Sequence, residues 1–439
     1  MRELNLIIYR NLEAEGKEGS ILQDMSFLMD HYEDPKYEKQ ALAGILYDCM
    51  NRLLELSGEH GFYGNLWHCY LANLLVNHEN SYSRACEITG AVKGSINQAV
   101  LHDIGIFKEF FDYDFRPLFS ALGVEGYDLI SSYEACGEKS KVYNSRIRDR
   151  ICSLAVKFKK DHTPEEMKDT LTEFYKDYGV GRFGLHKAFR VVHEGSQAEI
   201  RPIRNIAHVH LDDLVGYEIP KQKLIENTEA FVEGRKANNC LLFGDAGTGK
   251  SSSIKAIANE YYEKGLRIIE IYKHQFQDLN EVIAQIKNRN YKFIIYMDDL
   301  SFEEFEIEYK FLKAVIEGGV ETKPENILIY ATSNRRHLIK ESWNDRNDQD
   351  NSNDRHHSDT VEEKLSLVNR FGVTINYSKP TQNEYFDIVI NLARRAGVTM
   401  DDERLKLEAN KWELSHGGIS GRTAEQFVNY LASQPDAFK

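Results

Sequence analysis

A chain of 439 residues, 42% of them hydrophobic and 28% charged, has an ordinary globular composition and is long enough for two or three domains. The net charge of −14 excludes a basic coat for nucleic acid over the whole surface, although it leaves a local basic patch open. The apolar run near the N-terminus is too short for a signal peptide or membrane helix, and the six cysteines are scattered without a CxxC pair, so we expect a cytoplasmic protein with reduced thiols and no membrane partner.

The first 200 residues are predicted to form a mostly α-helical N-terminal domain. Apolar side chains fill residues 66–75 on several faces, and apolar residues between 147 and 158 recur at spacings of three and four. Thr163, Pro164 and Glu166 are typical of a helix start, with the threonine as N-cap and proline at the first helical position. Nothing in this half names a reaction, so we expect it to bind a protein partner that the sequence does not identify.

Two patterns in this half have both a functional and a structural interpretation. Residues 179–184, GVGRFG, match the GxGxxG pattern of dinucleotide sites, but they follow a helix instead of a strand, which favours a helix end and a turn. A basic set between residues 146 and 160 has the charge to meet phosphates or an acidic partner, yet it lies largely off the apolar stripe, which favours a solvated helix face. The set comprises Arg146, Arg148, Arg150, Lys157, Lys159 and Lys160.

Four residues beyond this half have metal-ligand chemistry. His208, His210, Asp212 and Asp213 lie close together in the sequence, but no further group of ligands follows nearby. We therefore do not assign a metal site to them.

The strongest signal in the chain is a short apolar run that breaks into a glycine-rich loop and then into a helical pattern. Glycines let backbone N–H groups turn onto phosphate oxygens at a helix N-terminus, where unpaired donors already favour an anion. Lys250 is predicted to reach the β- and γ-phosphates, and the Ser251 hydroxyl to bind Mg²⁺. The predicted phosphate-binding residues are Gly244, Asp245, Ala246, Gly247, Thr248, Gly249, Lys250, Ser251 and Ser252.

Strands and helices alternate after this loop, which predicts a mainly parallel five-stranded sheet covered by helices on both faces. We expect this α/β domain to span residues 201–379 and a C-terminal helical lid to span residues 380–439. Between them, residues 342–359 are rich in Asn, Asp and Ser and are predicted to form a polar loop. The predicted strands after the loop strand are 267–272, 293–298, 327–333 and 373–377.

Two of these strands end in side chains suited to phosphate chemistry. An apolar strand ends at Asp298 and Asp299, and the next one ends at Asn334. Functional residues of parallel sheets lie at the carboxyl ends of the strands, so Asp298 is predicted to hold Mg²⁺ and Asp299 to lie near the attacking water. The amide of Asn334 is predicted to hydrogen-bond the γ-phosphate or that water.

Together these motifs resemble the AAA+ ATPase superfamily, in an order that covers about residues 205–435. The resemblance adds residues 365–372 as an arginine-finger box and residues 419–422 as a second sensor on the lid. More narrowly, the sequence resembles the bacterial AAA+ family known as domain of unknown function 815. That resemblance rests on ATSNRRHLI, EEKLSLVNRFG, SGRTAEQF and the upstream GVGRFGLHKAFR.

The resemblance implies particular roles. Gly216 and Tyr217 would lie in the segment that packs on adenine. Arg370 would act in trans on the ATP site of a neighbouring subunit, which implies a homo-oligomer, and Arg422 would report the nucleotide to the lid of its own subunit. The acidic pair departs from the Asp-Glu of many AAA+ proteins, because Asp299 is one methylene shorter than glutamate. It is similar to the pair of bacterial replication initiators, and we hypothesise slow hydrolysis in which ATP serves more as a switch than as fuel.

The sequence therefore predicts an oligomeric ATPase that uses ATP and Mg²⁺ to switch or remodel an unknown partner. A nucleic-acid loader is an alternative that the acidic pair suggests and the overall acidity disfavours. A small-molecule kinase on the same loop is a further alternative, although it would have no use for Arg370 from a neighbour or for Arg422 from a lid.

Overall fold

The computed structural model describes residues 4–10, 20–135, 144–194, 197–203, 206–207, 209–302, 308–317, 324–334, 338 and 367–434. The chain forms two compact units, Met1–His186 and Lys187–Lys439. The predicted polar loop and His208 lie outside the described residues.

The first unit is helical in its described part and packs around one large apolar core. Helix α3 is buried on almost every face, as its apolar sequence predicts. The helix start at Thr163 is also confirmed, because its hydroxyl accepts the Glu166 backbone N–H at 3.2 Å. The helices are α1 (Ile21–His31), α2 (Lys39–His60), α3 (Leu66–Asn77), α4 (Ser81–Thr89), α5 (Ile96–Asp112), α6 (Arg116–Leu122), α7 (Tyr127–Ser131), α8 (Ser145–Lys160), α9 (Pro164–Tyr178) and α10 (Gly181–Leu185).

The glycine-rich stretch after α9 is a structural turn. Gly179 caps the C-terminus of α9 with a φ of 77°, and the short helix α10 follows directly. A Cβ on Gly184 would lie 2.7 Å from the carbonyl oxygen of Tyr178, which explains a glycine at that position. The stretch follows helix α9 and itself forms most of α10, so it lacks the preceding strand that a dinucleotide site requires.

The second unit contains a larger sheet than the sequence predicts. Its described strands form one seven-stranded sheet in the order β2-β1-β4-β5-β6-β3-β7. Neighbouring strands run parallel except β1 and β2, which pair as an antiparallel hairpin. The strands are β1 (Ala188–Glu194), β2 (Gln197–Pro202), β3 (Cys240–Gly244), β4 (Leu266–Glu270), β5 (Lys292–Met297), β6 (Ile327–Ser333) and β7 (Val373–Tyr377).

The hairpin corrects the predicted division of the chain. The sequence analysis treats residues up to about 195 as helical and ends the first domain at residue 200, whereas the units divide between His186 and Lys187. Strand β1 pairs with β4 at the edge of the sheet, so residues 188–202 belong to the second unit. The sequence analysis missed the hairpin because short strands carry a weak pattern beside long helical segments.

Helices cover this sheet and form the lid. The lid has its own apolar cluster, which includes Tyr385, Leu405 and Phe427, although the lid and the sheet belong to one compact unit. The helices are α11 (Glu218–Val232), α12 (Lys250–Glu260), α13 (Leu279–Ile286), α14 (Glu308–Glu317), α15 (Gln382–Arg395), α16 (Asp402–Ser415) and α17 (Gly421–Ala432). This architecture confirms the predicted α/β sheet with a C-terminal helical lid and a helical N-terminal region, although the sheet has seven strands instead of the predicted five.

The order of the strands determines where the functional residues lie. Strands β5, β6 and β3 are adjacent and parallel, so their carboxyl ends meet at one edge of the sheet. Those ends carry Asp298, Asn334 and the glycine-rich loop. Among the described residues, no helix is long and apolar enough to cross a membrane.

Candidate nucleotide-binding site

The loop between β3 and α12 depends on glycine at its turns. Gly244, Gly247 and Gly249 have φ values of 135°, 75° and 87°, which side chains other than glycine rarely adopt. A Cβ on Gly244 would collide with the carbonyl group of Tyr377 on the neighbouring strand β7. Gly249 is the N-cap of α12, so the free backbone N–H groups of that helix face the loop.

Lys250 is held at the centre of the loop. Its Nζ donates to the carbonyl oxygens of Gly244 at 2.8 Å and Asp245 at 2.6 Å, and to Oδ1 of Asn334 at 3.1 Å. Burial lowers the pKa of the Lys250 ammonium, and the charges of nearby carboxylates, including Asp299, oppose that shift. The ammonium is therefore held by two carbonyl oxygens of the loop and by the side chain of Asn334.

Asp298 is fixed by two hydroxyl groups. Its Oδ1 accepts hydrogen bonds from Ser251 Oγ at 2.7 Å and from Thr332 Oγ1 at 2.6 Å. Burial alone would raise the pKa of Asp298, but hydrogen bonds such as these hold it below its ordinary value. The carboxylate is thus kept ionised beside the serine that the sequence predicts as its partner in Mg²⁺ binding.

Asp299 has a strained backbone that suits its residue type. Its φ is 49°, a left-handed conformation in which aspartate is several-fold enriched among non-glycine residues. Its backbone N–H donates to Thr332 Oγ1 at 2.9 Å, and its Oδ1 accepts from Asn334 Nδ2 at 2.7 Å. This backbone suits aspartate better than most other non-glycine residues.

These groups open into a single cavity of about 700 Å³. The loop, the acidic strand end and the lid all contribute to its walls, and Asp213, Val215 and Tyr217 line it from the segment before α11. From the loop and α12 it is lined by Ala246, Gly247, Thr248, Gly249, Lys250, Ser251, Ser252, Ser253 and Lys255. From the other strand ends and the lid it is lined by Asp298, Asp299, Thr332, Asn334, Tyr377, Ile388, Leu392, Gly421, Arg422 and Glu425.

One end of the cavity is apolar and aromatic. The rings of Tyr217 and Tyr377 stack with centroids 5.4 Å apart, and Ile388 and Leu392 of the lid lie on the same cavity. Tyr217 has a left-handed backbone with a φ of 59°, directly after Gly216 at 78°. This end has the character of a pocket for a flat heterocyclic base.

The lid contacts the loop through backbone groups and the segment before α11 through an ion pair. The Arg422 N–H donates to the Gly247 carbonyl at 3.3 Å, which places the start of α17 against the loop. Arg395 Nη1 binds Asp213 Oδ1 at 2.9 Å, and its Nη2 donates to the Asp212 carbonyl at 2.8 Å. This ion pair joins the end of α15 to the segment before α11. Asp213 is therefore ion-paired, and within the described residues no group of three or more metal-ligating side chains occurs.

The structure brings together most of the residues predicted for the site. Lys250, Ser251, Asp298, Asp299 and Asn334 form one hydrogen-bonded group on the cavity, with Arg422 on its wall. Three predicted residues are not among the described residues that line the cavity: Gly244 and Asp245 supply carbonyls to the lysine, and Gly216 precedes the left-handed Tyr217.

Arg370 is the exception to this convergence. It follows a short helical turn, where its N–H donates to the Leu367 carbonyl at 3.3 Å. Among the described residues that line the cavity, Arg370 does not occur. A role on the nucleotide of its own subunit is therefore not supported by its position.

Sequence reasoning missed Thr332 and the Arg395–Asp213 pair. Thr332 binds Asp298 and also accepts the Asp299 N–H, so one hydroxyl orients both acidic residues. Its signal in the sequence was its position two residues before Asn334 on β6, because alternate residues of a strand share a face. The Arg395–Asp213 pair joins residues 182 apart in the chain, and no local pattern reveals such a contact.

A family model described as "Protein of unknown function (DUF815)" matches residues 185–435, which is more than half of the chain. The chain belongs to the DUF815 family. The match spans the whole sheet and lid, and thus every residue of the cavity. No curated protein sequence matches this DUF815 chain at a significant level.

Solved structures to which parts of the chain are similar include the Thermotoga maritima RuvB Holliday junction branch migration motor and the FIGL-1 AAA domain in complex with ADP. RuvB is 16% identical with a TM-score of 0.36, over 51% of this chain and 63% of the RuvB chain. FIGL-1 is 17% identical with a TM-score of 0.37, over 52% of this chain and 74% of that chain.

The residues of the cavity fit a magnesium nucleotide. Mg²⁺ bound with a nucleotide takes one or two protein oxygens and the phosphates, and Ser251 Oγ and the ionised Asp298 lie 2.7 Å apart at the loop. The N-terminus of α12 and Lys250 would bind the phosphates. The end of the cavity that holds Tyr217 and Tyr377 would bind the base. Because phosphate oxygens would supply further ligands, Mg²⁺ would not need three protein side chains at this site.

Replacing Thr332 with valine tests its double role. Thr332→Val leaves an Asp298 oxygen short of one donor and the Asp299 N–H without its acceptor, so we expect a loss of about 1–2 kcal/mol in the free energy of unfolding. The measurement is chemical denaturation of the full chain, with Thr332→Ser as the matched control. Serine keeps the hydroxyl and valine keeps the methyl group, so a loss in Thr332→Ser with none in Thr332→Val would show that methyl packing, and not the hydroxyl, stabilises the site.

Proposed function

We propose that this chain binds ATP with Mg²⁺ in the 700 Å³ cavity and hydrolyses it to ADP and phosphate. One observation supports this proposal most strongly. Lys250, the Ser251–Asp298 pair and the Asp299–Asn334 pair converge on one cavity that an arginine of the lid also lines. A nucleoside triphosphate has the shape and the charge that this arrangement complements.

Each group has a distinct role in the proposed reaction. The backbone N–H groups of the loop and the Lys250 ammonium bind the phosphates and stabilise charge that develops on them. Ser251 and Asp298 hold Mg²⁺, which neutralises phosphate charge when bound. Asp299 orients the attacking water and accepts its proton, while Asn334 fixes the Asp299 carboxylate through the 2.7 Å hydrogen bond.

The lid supplies the proposed response to the nucleotide. Arg422 lies on the cavity wall while its own N–H binds the loop, so a change in phosphate charge acts directly on the start of α17. We infer that ATP binding and hydrolysis alter the position of the lid, and that the protein works as a switch or remodeller. The partner would bind through the helical first unit, which contributes no residue to the cavity lining among the described residues.

Lys250→Ala tests nucleotide binding. Removing the ammonium takes away the main countercharge for the phosphates, so we expect ATP affinity to fall by about 2–3 kcal/mol, or at least about 30-fold. Calorimetric titration of the full chain with ATP and Mg²⁺ measures this loss. The control is Lys223→Ala, an exposed lysine of α11 that lies outside the cavity lining. Unchanged affinity in Lys250→Ala would contradict the assigned site.

Asp299→Asn separates binding from hydrolysis. Asparagine tolerates the left-handed backbone at this position but cannot take a proton from water. We expect ATP affinity to be retained and turnover to fall about 10²- to 10⁴-fold. Phosphate release at saturating ATP measures turnover, and the exposed lid change Asp387→Asn is the control. In the unmodified protein we expect turnover below about 10 s⁻¹, and full activity in Asp299→Asn would exclude this residue as the base.

A mixing experiment tests whether Arg370 acts in trans. At ATP concentrations that fill only the unmodified site, Lys250→Ala subunits stay largely empty but keep Arg370, whereas Arg370→Ala subunits keep the ATP site. Each variant alone is expected to be inactive. In a random mixture about a quarter of the subunit interfaces join an intact ATP site to an intact Arg370, so activity should return to roughly that fraction of the unmodified level. A mixture that stays inactive although its subunits co-assemble would restrict Arg370 to its own subunit.

A further inference from the structure

Two cysteines that are 83 residues apart in the sequence meet inside the first unit. Cys69 on α3 and Cys152 on α8 have their Sγ atoms 3.7 Å apart, in helices that pack against each other. Both residues are buried, with 2% and 3% of their surface exposed. A disulfide bond is about 2.05 Å long, so the two sulfur atoms need to approach by roughly 1.7 Å.

Both thiols lie close to the backbone of one surface residue. Both thiols point towards the carbonyl oxygen of Tyr63, at 3.5 Å from Cys69 Sγ and 4.0 Å from Cys152 Sγ. Tyr63 is 43% exposed, so the carbonyl that both thiols contact belongs to a surface residue of the loop between α2 and α3. The guanidinium of Arg148 lies over its ring at 5.5 Å, which adds a positive charge near the thiols.

The two thiols differ in their acidity. The hydrogen bond between the sulfur atoms, together with burial, raises the pKa of Cys69, which acts as its donor. Accepting that hydrogen bond lowers the pKa of Cys152, and the charge of Arg148 contributes to the same shift. Cys152 is therefore the better nucleophile and Cys69 the resolving thiol.

We propose that Cys69 and Cys152 form a reversible disulfide when the protein meets a two-electron oxidant of the hydroperoxide class. The Cys152 thiolate attacks one peroxide oxygen, the O–O bond breaks, and the second oxygen leaves with a proton as an alcohol or water. The Cys69 sulfur then attacks the Cys152 sulfenic acid, the S–S bond forms, and the sulfenic oxygen leaves as water. Two thiols lose two electrons in total, and one peroxide gains them.

The bond would staple the helical unit. It would join α3 to α8 and close a loop of 83 residues, which restricts the unfolded chain more than the folded one. We therefore expect the oxidised first unit to unfold at a higher temperature than the reduced unit. The proposal is independent of the nucleotide site, because both cysteines lie in the first unit.

The test is peroxide treatment of the full chain. Reduced protein has six thiols. After hydrogen peroxide, alkylation in denaturant should count four thiols, and peptide mass spectrometry should find the fragments that hold residues 69 and 152 joined. Dithiothreitol should restore all six. The absence of that joined fragment, or its appearance with a different cysteine, would overturn the proposal.

Alanine variants distinguish a specific pair from general oxidation. Cys86→Ala removes another buried cysteine of the first unit and should leave the joined fragment intact. Cys69→Ala should abolish the bond and stop oxidation of Cys152 at the sulfenic acid, which a dimedone probe detects. The peroxide experiment on the unmodified protein tests the proposal by itself. The test therefore does not depend on whether every variant folds.

Discussion

The site depends on one carboxylate oxygen that accepts two hydrogen bonds. Asp298 Oδ1 receives Ser251 from the start of α12 and Thr332 from β6, so three separate elements meet at one atom. The same threonine also fixes the backbone of Asp299. This arrangement exists only because β5, β6 and β3 are neighbours whose carboxyl ends lie at one edge. The order of the strands therefore determines which side chains can meet at the site.

The lid contacts this site from outside the sheet. The start of α17 binds the glycine loop through backbone groups, and the Arg395–Asp213 pair ties α15 to the segment before α11. A Cβ on Gly247 would lie 3.0 Å from the Arg422 Cβ, so the glycine permits the close approach of the two elements. Loop and lid are therefore coupled at van der Waals distance, which is what a nucleotide-dependent lid movement requires.

Much of the second unit could be predicted from local patterns. Strands β6 and β7 have the predicted bounds, and the glycine loop identified the site because its spacing is dictated by backbone geometry. The sequence did not reveal the β1–β2 hairpin, the position of Thr332 or the meeting of Cys69 with Cys152. Each of these depends on contacts between segments that are far apart in the chain. The local periodicity of a sequence does not reveal such contacts. The glycines at 179–184 match the pattern of a dinucleotide site, but in the structure Gly179 caps the end of α9.

The central claim is that Mg²⁺ and ATP occupy this particular cavity. The most direct measurement is a crystal structure of the full chain with Mg²⁺ and a non-hydrolysable ATP analogue. We predict phosphates on the backbone N–H groups of residues 246–251 and on Lys250, Mg²⁺ beside Ser251 and Asp298, and the base near Tyr217. An analogue bound elsewhere on the chain, or a cavity without one at saturating concentration, would contradict the account.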